Sequence, residues 1–303
     1  MMEIDLPEID EEELEKIKAQ KTKEVLEDAE IAEMIALNAL TPEFVKKNVY
    51  FFRLYKRDKD LCKDCAGLSE CAKKSNHLQI SLKIEGDRVD VLYSKCPYQE
   101  EVDRLKKKFV ARQFDESAFA YKMKDCLSYF ASARYPIVRK MNDFVKDVSI
   151  GKGLYLSGDP KTGKSFLLSV FAVRLSKEPT TKSIAFIDCP NEFALMQACF
   201  RDNLTMFRFY LEEMQKAQYL FLDDLGKEFK NEFVLTNLLL PLFRKRKEMK
   251  RTTFVSSNYG IKELKSAYPH PFGKKNDLEE LCALIDESCT EMKLRGMKFE
   301  VLK

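Results

Sequence analysis

The chain has 303 residues, and its 45% hydrophobic and 33% charged residues are typical of a soluble protein with one large domain or two ordinary ones. The formal net charge of +3 is only mildly basic, so composition alone predicts no nucleic-acid partner. The start, "MMEIDLPEIDEEELEK", lacks the basic region and apolar core of a signal peptide, and no run of about 18 apolar residues follows. We therefore expect a cytoplasmic protein with no membrane partner.

The N-terminal part of the chain carries two helical patterns. Charged and apolar residues alternate at helical spacing over residues 11–40, with no Pro or Gly to interrupt them. Thr41 is then a predicted N-cap and Pro42 the first residue of a second helix with an apolar stripe. These patterns predict a small helical domain, with a partner-binding surface as the alternative interpretation.

A cysteine-rich stretch follows, "CKDCAGLSECAKKSNHLQISLKIEGDRVDVLYSKCPY". Its centre alternates apolar and polar residues on both sides of Glu85-Gly86-Asp87-Arg88, which predicts a β-hairpin whose turn needs the glycine. Nine cysteines, an odd number, argue against a disulfide framework. Five candidate zinc ligands flank the hairpin, one more than a four-coordinate ion needs: Cys62, Cys65, Cys71, His77 and Cys96. The alternative, a redox C-x-x-C, would be followed by a helix within a βαβ pattern, and here a hairpin follows instead.

The second half of the chain alternates short apolar runs with helical patterns. The runs "GLYLS", "SIAFID", "YLFLDD" and "TTFVSSN" alternate with predicted helices at 164–176, 190–215 and 231–249. Such alternation predicts an α/β fold with a parallel sheet covered on both faces. Residues 97–135 lack a clear period and are interpreted as a helix running into a linker. The predicted organisation is an N-terminal domain over 1–108, a linker over 109–135 and an α/β domain over 136–303.

The segment "GDPKTGKS" stands between a predicted strand and a predicted helix and completes the pattern G-x-x-x-x-G-K-[ST]. Glycines allow backbone N–H groups to converge on phosphate oxygens, and the helix N-terminus adds its positive dipole end. Lys164 would neutralise β- and γ-phosphate charge, and Ser165 would bind Mg²⁺. The predicted nucleotide-binding residues are Gly158, Asp159, Pro160, Lys161, Thr162, Gly163, Lys164 and Ser165.

Two later strands end in polar side chains. Asp223 and Asp224 follow the buried run "YLFL", where ligands bind in open α/β sheets, so we assign Asp223 to Mg²⁺ and Asp224 to activation of the attacking water. Asn258, after "TTFVSS", could orient that water. The alternative for all three is an ordinary turn residue.

The chain resembles an AAA+ ATPase in the order of three features: the phosphate loop, the paired acids and the polar end of a later strand. Asn258 would then occupy the sensor-1 position. With the cysteine-flanked hairpin in front, the chain resembles bacterial primosomal replicative-helicase loaders of the DnaI type, related more distantly to DnaC. The motifs that carry the resemblance are "GDPKTGKSFLL", "YLFLDDLGKE", and "CKDC" combined with "SKCPY". Because few residues follow Asn258, we expect one helix and an edge strand, "KFEVL", instead of a full AAA+ lid.

The resemblance implies a function and a set of partners. It implies zinc on Cys62, Cys65, His77 and Cys96, with Cys71 left over. It also implies an N-terminal domain that grips the replicative hexameric DNA helicase, an ATPase domain that binds single-stranded DNA, and self-association around ATP. The expected function is an ATP-dependent loader that delivers the helicase onto single-stranded DNA during primosome assembly.

The sequence departs from the family in two places that matter for hydrolysis. Lys161 stands where the family usually has glycine. "ALIDES" stands where the family carries an arginine that reaches the neighbouring subunit's nucleotide, and Arg295 is the nearest basic alternative. We therefore expect a weak ATPase, because such an arginine stabilises charge in phosphoryl transfer.

Other interpretations remain open at this stage. The basic run "FRKRKEMKR" is either a solvated face or a surface that follows single-stranded DNA. An IstB-like transposition helper ATPase would share the fold but is not expected to carry the cysteine-flanked hairpin. A zinc-bearing nucleic-acid-binding adaptor with a degenerate ATPase core would fail to bind ATP.

Overall fold

The computed structural model describes residues 11–73, 77–128, 131–147, 151–268 and 275–295. The chain divides into two compact units, Met1–Glu101 and Val102–Lys303. None of the helices within these described ranges is both long enough and apolar enough to cross a membrane.

Four helices form the first part of the N-terminal unit: α1 Glu11–Leu26, α2 Ala29–Leu37, α3 Pro42–Lys47 and α4 Val49–Asp60. The helix predicted over 11–40 is therefore two helices, because the Asp28 carboxylate accepts the first free N–H groups of α2, those of Glu30 and Ile31. The predicted cap at Thr41 is confirmed, since its hydroxyl accepts the Phe44 N–H at 3.2 Å.

The predicted hairpin is confirmed as strands β1 Leu78–Glu85 and β2 Arg88–Lys95, paired antiparallel. Gly86 has φ 57°, the left-handed conformation that a two-residue hairpin turn requires. Ile80 and Val89 pack with Phe52 and Val45 of the helices in one apolar cluster. The hairpin thus supplies one side of the core of this unit.

The second unit is built on a parallel sheet, and the predicted α/β class is confirmed. Its strands are β3 Phe109–Arg112, β4 Gly153–Ser157, β5 Ile184–Asp188, β6 Tyr219–Leu225, β7 Thr252–Ser257 and β8 Cys289–Lys293. They lie in the order β3-β5-β6-β7-β4-β8. Because successive side chains of a strand point to opposite faces, Leu220 and Leu222 of β6 enter one apolar cluster, while Tyr219 and Phe221 enter another.

Helices cover both faces of this sheet. The described helices that lie wholly within the second unit are α6 Ala131–Lys146, α7 Lys164–Ser176, α8 Cys189–Asp202, α9 Leu204–Lys216, α10 Leu240–Glu248, α11 Leu264–Ala267 and α12 Lys275–Ser288. The boundary between the two units falls within a further helix, α5 Pro97–Lys106. A π-helical turn, Val234–Leu239, precedes α10. The predicted helix 164–176 is confirmed, whereas the helix predicted over 190–215 is interrupted at Asn203, whose side chain caps α9.

The structure differs from the predicted boundary at residues 109–135, which we interpreted as a linker. Phe109–Arg112 is an edge strand of the parallel sheet, paired with β5. Met123 and Cys126 are buried in the sheet's apolar cluster. The segment belongs to the second unit, and its irregular pattern reflects short turns packed on the sheet.

The edge strand predicted at "KFEVL" lies outside the described residues. Within them, the opposite edge of the sheet is β8, which pairs with β4 from Gly153↔Cys289 to Ser157↔Lys293. After Asn258 the described part of the chain contains the short helix α11, the longer helix α12 and the edge strand β8.

The basic run that we offered as a DNA-tracking surface contains a buried structural residue. Arg246 is 1% exposed, and burial lowers the pKa of its guanidinium to about 9, with the charge of Arg251 adding to the shift. Its guanidinium donates hydrogen bonds to Met214 O, Gln215 O, Ala217 O, Thr252 O and Thr253 Oγ1. Arg246 therefore joins the end of α9 to the start of β7.

We expect Arg246→Met to lower the free energy of unfolding by about 3 kcal/mol, because it leaves several buried carbonyl groups without a donor. Lys245→Met, next to it on the same helix, is the matched control. Lys245 forms an exposed ion pair with Glu248, so its loss is expected to change stability by less than about 0.5 kcal/mol. Denaturant unfolding of both variants measures the difference, and equal effects would contradict the structural role of Arg246.

Candidate nucleotide-binding site

The sheet order brings the ends of three predicted functional strands together. β7 lies between β4 and β6, and all three run parallel. The phosphate loop follows β4, Asn258 follows β7, and the two acids end β6. Because carboxyl ends of parallel strands meet at one edge of the sheet, residues more than 90 positions apart become neighbours there.

The backbone of the phosphate loop needs its two glycines. Gly158 has φ 148° and Gly163 has φ 91°. A Cβ atom at Gly158 would lie 2.3 Å from the Leu294 carbonyl oxygen, and one at Gly163 would lie 2.5 Å from a guanidinium nitrogen of Arg134. Gly163 is the N-cap of α7, and no side chain caps the helix there. The loop therefore presents the N-terminus of a helix, whose backbone N–H groups are suited to bind a phosphate group.

Lys161 also has a left-handed backbone, with φ 64°. This conformation is easy for glycine and costs a residue with a side chain roughly 1 kcal/mol or more. It gives a physical reason for glycine at this position in the family. This chain has lysine at the position despite that cost, and the Lys161 side chain lines the pocket beside the phosphate loop.

Lys164 is buried, 4% exposed, and its ammonium is fully engaged. It donates to the carbonyl oxygens of Gly158 and Asp159, both at 2.8 Å, and to Asn258 Oδ1 at 3.0 Å. Burial lowers the pKa of Lys164, the carboxylate of Asp224 opposes that shift, and the charge of Lys227 adds to it. The predicted phosphate-binding lysine and sensor residue are thus in direct contact.

The two acids at the end of β6 are separated by a backbone irregularity. The pairing of β6 with β7 shifts register between Leu222 and Leu225, and Asp224 has φ 58°. The Ser256 hydroxyl accepts the Asp224 N–H at 2.9 Å and donates to Asp223 Oδ1. Consecutive residues of a regular strand point to opposite faces, so this bulge changes the direction in which the Asp224 side chain leaves the strand.

The surroundings of the two carboxylates differ. Burial raises the pKa of Asp223 above its ordinary value, the charge of Asp224 adds to the rise, and hydrogen bonds from Ser256 and Ser165 oppose it. Asp224 lines the open pocket and forms an ion pair of 2.8 Å with Lys227. Asp223 thus lies in contact with Ser165 of the phosphate loop, whereas Asp224 faces the open pocket.

Three residues of the site were missed by sequence reasoning: Arg134, Lys227 and Ser256. Arg134 is 1% exposed and donates to Thr162 O of the phosphate loop at 3.0 Å and to Cys126 O at 3.2 Å. Nothing in its local sequence indicates this role. Ser256 could have been found, because it is one of two serines at the end of β7, just before Asn258.

The predicted zinc ligands lie near the open end of the hairpin. The Cys96 N–H donates to His77 O at 3.0 Å, and the Tyr98 hydroxyl donates to Cys65 O at 3.4 Å. His77 Nδ1 is buried, and no hydrogen-bond partner for it is found in the described structure. Cysteine and histidine are suitable donors for zinc, but no group of three or more His, Cys, Asp or Glu side chains in the described ranges is arranged to hold a metal ion.

Most charges in the basic run "FRKRKEMKR" have partners in the fold. Arg246 is buried, while the remaining pairs are Arg244 with Glu280, Lys245 with Glu248 and Lys247 with Glu287. These contacts favour the interpretation of a solvated, ion-paired face. A surface that follows DNA phosphates would present cations free to release counterions.

The C-terminal departure from the family is also placed by the structure. In the stretch "ALIDES", the Asp286 carbonyl accepts a hydrogen bond from Lys152 and Glu287 pairs with Lys247. Arg295 is exposed and follows Leu294, whose N–H donates to Ser157 O at 2.7 Å. Arg295 therefore lies one residue from the contact between Leu294 and Ser157, the last residue of β4 before the phosphate loop.

No model of a known protein family matches the chain. A curated relative, the replicative helicase loader DnaI of Bacillus subtilis (strain 168), is 23% identical over 274 residues, 87% of this chain and 85% of the relative. This match confirms the resemblance to DnaI-type loaders that the motifs indicate, and it extends over most of both sequences.

Two solved structures share the fold. A crystal structure of DnaI has 23% sequence identity and a TM-score of 0.55, covering 63% of this chain and 100% of that chain. A structure described as a candidate primosome component from Streptococcus pyogenes serotype M3 has 22% identity and a TM-score of 0.50, covering 65% of this chain and 98% of that one. These likenesses support the predicted α/β fold built on a parallel sheet.

The raised pKa of Asp223 predicts how stability depends on pH. Folding raises this pKa above the usual value of about 3.9, so the folded state holds the proton more tightly than the unfolded state. The ionised carboxylate therefore lowers stability at neutral pH, and that loss disappears as the pH falls through the folded-state pKa. We expect Asp223→Asn to make the nucleotide-free protein more stable at pH 7 and to give a smaller gain toward pH 4.

Denaturant unfolding of the wild type and Asp223→Asn across this pH range tests the sign. Asp202→Asn, at an exposed position, is the control and is expected to change stability by less than about 0.5 kcal/mol throughout. A variant that is less stable than wild type at pH 7 would show that the hydrogen bonds of Asp223 outweigh its burial.

Proposed function

We propose that the chain is an ATP-dependent loader that delivers the replicative hexameric DNA helicase onto single-stranded DNA during primosome assembly. The observation that carries the proposal is the meeting of Lys164, Asn258 and the two acids of β6 at one edge of the sheet. The relative named as a replicative helicase loader supports the helicase as partner, because its alignment spans most of the chain.

The residues of the site divide the work of ATP binding and hydrolysis. Backbone N–H groups of the phosphate loop and the Lys164 ammonium bind β- and γ-phosphate oxygens. Ser165 and Asp223 would hold Mg²⁺, which would supply positive charge to neutralise the phosphates. Asp224 accepts a hydrogen bond from the attacking water, and the Asn258 side chain orients that water.

We infer that turnover by the isolated protein is slow. Arginine fingers supplied by a neighbouring subunit are worth roughly 10³ to 10⁵ in rate, and "ALIDES" offers carboxylates where the family has that arginine. This stretch contains no lysine or arginine and so supplies no cation, and the nearby Lys247 is paired with Glu287. The bound nucleotide then mainly marks the state of the loader. Hydrolysis becomes faster only when self-association around ATP, or another partner, contributes positive charge at the γ-phosphate.

We further propose that Cys62, Cys65, His77 and Cys96 bind one zinc ion, with Cys71 outside the site. The buried, unbonded His77 Nδ1 supports this proposal, because a buried polar atom without a partner costs free energy that a metal bond would remove. The backbone contact between His77 and Cys96 holds two of the four donors at the same end of the hairpin.

We expect Lys164→Ala and Asp223→Ala to weaken Mg²⁺-ATP binding by about 100-fold or more, because each removes a charged contact to the nucleotide or its metal. Both variants should still co-purify with the replicative helicase, since the proposed docking surface lies in the N-terminal unit. Lys182→Ala, an exposed lysine of the same unit as the site, is the matched control for loss of a positive charge. Loss of the helicase by both folded variants would refute this division of labour.

Metal analysis of the purified full chain should give one zinc per molecule. Cys62→Ser should lose the metal, whereas Cys71→Ser should retain it, and this pair differs only in which cysteine of the same stretch is changed. A folded, metal-free wild type would refute the zinc proposal. Loss of zinc from Cys71→Ser with retention in His77→Ala would assign the fourth ligand to Cys71.

A further inference from the structure

The loop after β6 carries a lysine that neither the phosphate-loop motif nor the acid pair accounts for. Lys227 donates its backbone N–H to the Asp224 carbonyl at 3.1 Å and its ammonium to Asp224 Oδ2 at 2.8 Å. The loop behind it is fixed, because the buried Glu228 accepts the Gly226 N–H at 2.7 Å and the Tyr268 hydroxyl. Lys227 is therefore a partly exposed side chain on a backbone that buried contacts hold in place.

The Lys227 side chain faces the phosphate-loop pocket. That pocket is a cavity of about 230 Å³ lined by Lys161, Gly163, Lys164, Ser165, Asp224 and Lys227. The Lys164 ammonium already has three oxygen partners, whereas Lys227 is held by the Asp224 carboxylate. Lys227 is thus a third cation in the lining of the pocket, besides Lys161 and the motif lysine.

The ion pair that holds Lys227 is open to exchange. The side chains of Lys227 and Asp224 are 38% and 26% exposed, so water screens their attraction. A terminal phosphate carries more negative charge than one carboxylate and offers several acceptor oxygens. Phosphate entering the pocket would therefore compete effectively for the Lys227 ammonium.

We propose that Lys227 senses the terminal phosphate of a nucleoside triphosphate: its ammonium leaves Asp224, binds that phosphate, and so frees the Asp224 carboxylate to meet the attacking water. The inference rests on the proposed ATP-binding function and deepens it. A diphosphate lacks the group that competes, so with it Lys227 stays on Asp224. The ion pair then restrains the water-activating residue until a triphosphate is present.

Binding measurements test the recognition step without relying on turnover. We expect Lys227→Met to weaken binding of a non-hydrolysable Mg²⁺-ATP analogue by about 10-fold while changing ADP binding less than about 2-fold. Lys227→Arg, which keeps the charge, should preserve the wild-type preference for triphosphate. Lys230→Met is the matched control, because Lys230 lies over the Tyr259 ring, 5.7 Å from its centroid, and is not part of the pocket lining.

A double-mutant cycle tests the exchange itself. Asp224→Asn should tighten analogue binding in the wild type by releasing Lys227, and the gain should shrink at least about 2-fold in the Lys227→Met background. An unchanged ratio of analogue to ADP affinity in Lys227→Met, or additive effects in the cycle, would overturn the inference while the wild type still binds ATP. A wild type that binds neither nucleotide would instead overturn the proposed function, and this inference with it.

Discussion

The bulge at the end of β6 is the constraint on which the site depends. A regular strand would send Asp223 and Asp224 to opposite faces of the sheet. The register shift and the left-handed Asp224 backbone make both carboxylates available at one edge, and the Ser256 hydroxyl holds the arrangement by bonding to both residues. Because Ser256 belongs to the neighbouring β7, Asp223 and Asn258 are positioned by the same pair of strands.

The order of strands extends this coupling to the phosphate loop. β4 pairs with β7 on one side and with β8 on the other, so the loop that follows β4 meets groups from both neighbours. Asn258 contacts Lys164 directly, and the Leu294 carbonyl leaves no room for a side chain at Gly158. Movement at the end of β4, β7 or β8 on nucleotide binding would therefore change the contacts at the other two strand ends.

Elements that follow from local patterns were predicted well from the sequence. The hairpin around Gly86, the cap at Thr41 and the helix at 164–176 each depend on neighbours along the chain. The segment 109–135 was not understood, because its strand exists only through pairing with β5. The burial of Arg246 could not be predicted either, because it stands in a run of basic residues. Most of its hydrogen-bond partners lie around the end of α9, about 30 residues earlier in the chain, and the others lie on β7.

Lys164 donates hydrogen bonds to two carbonyl groups of its own loop and to Asn258. Its ammonium charge is therefore already satisfied by oxygen atoms of the protein. Entry of a nucleotide becomes an exchange of one set of hydrogen bonds for another, so the net gain in stability is smaller than the number of new contacts suggests.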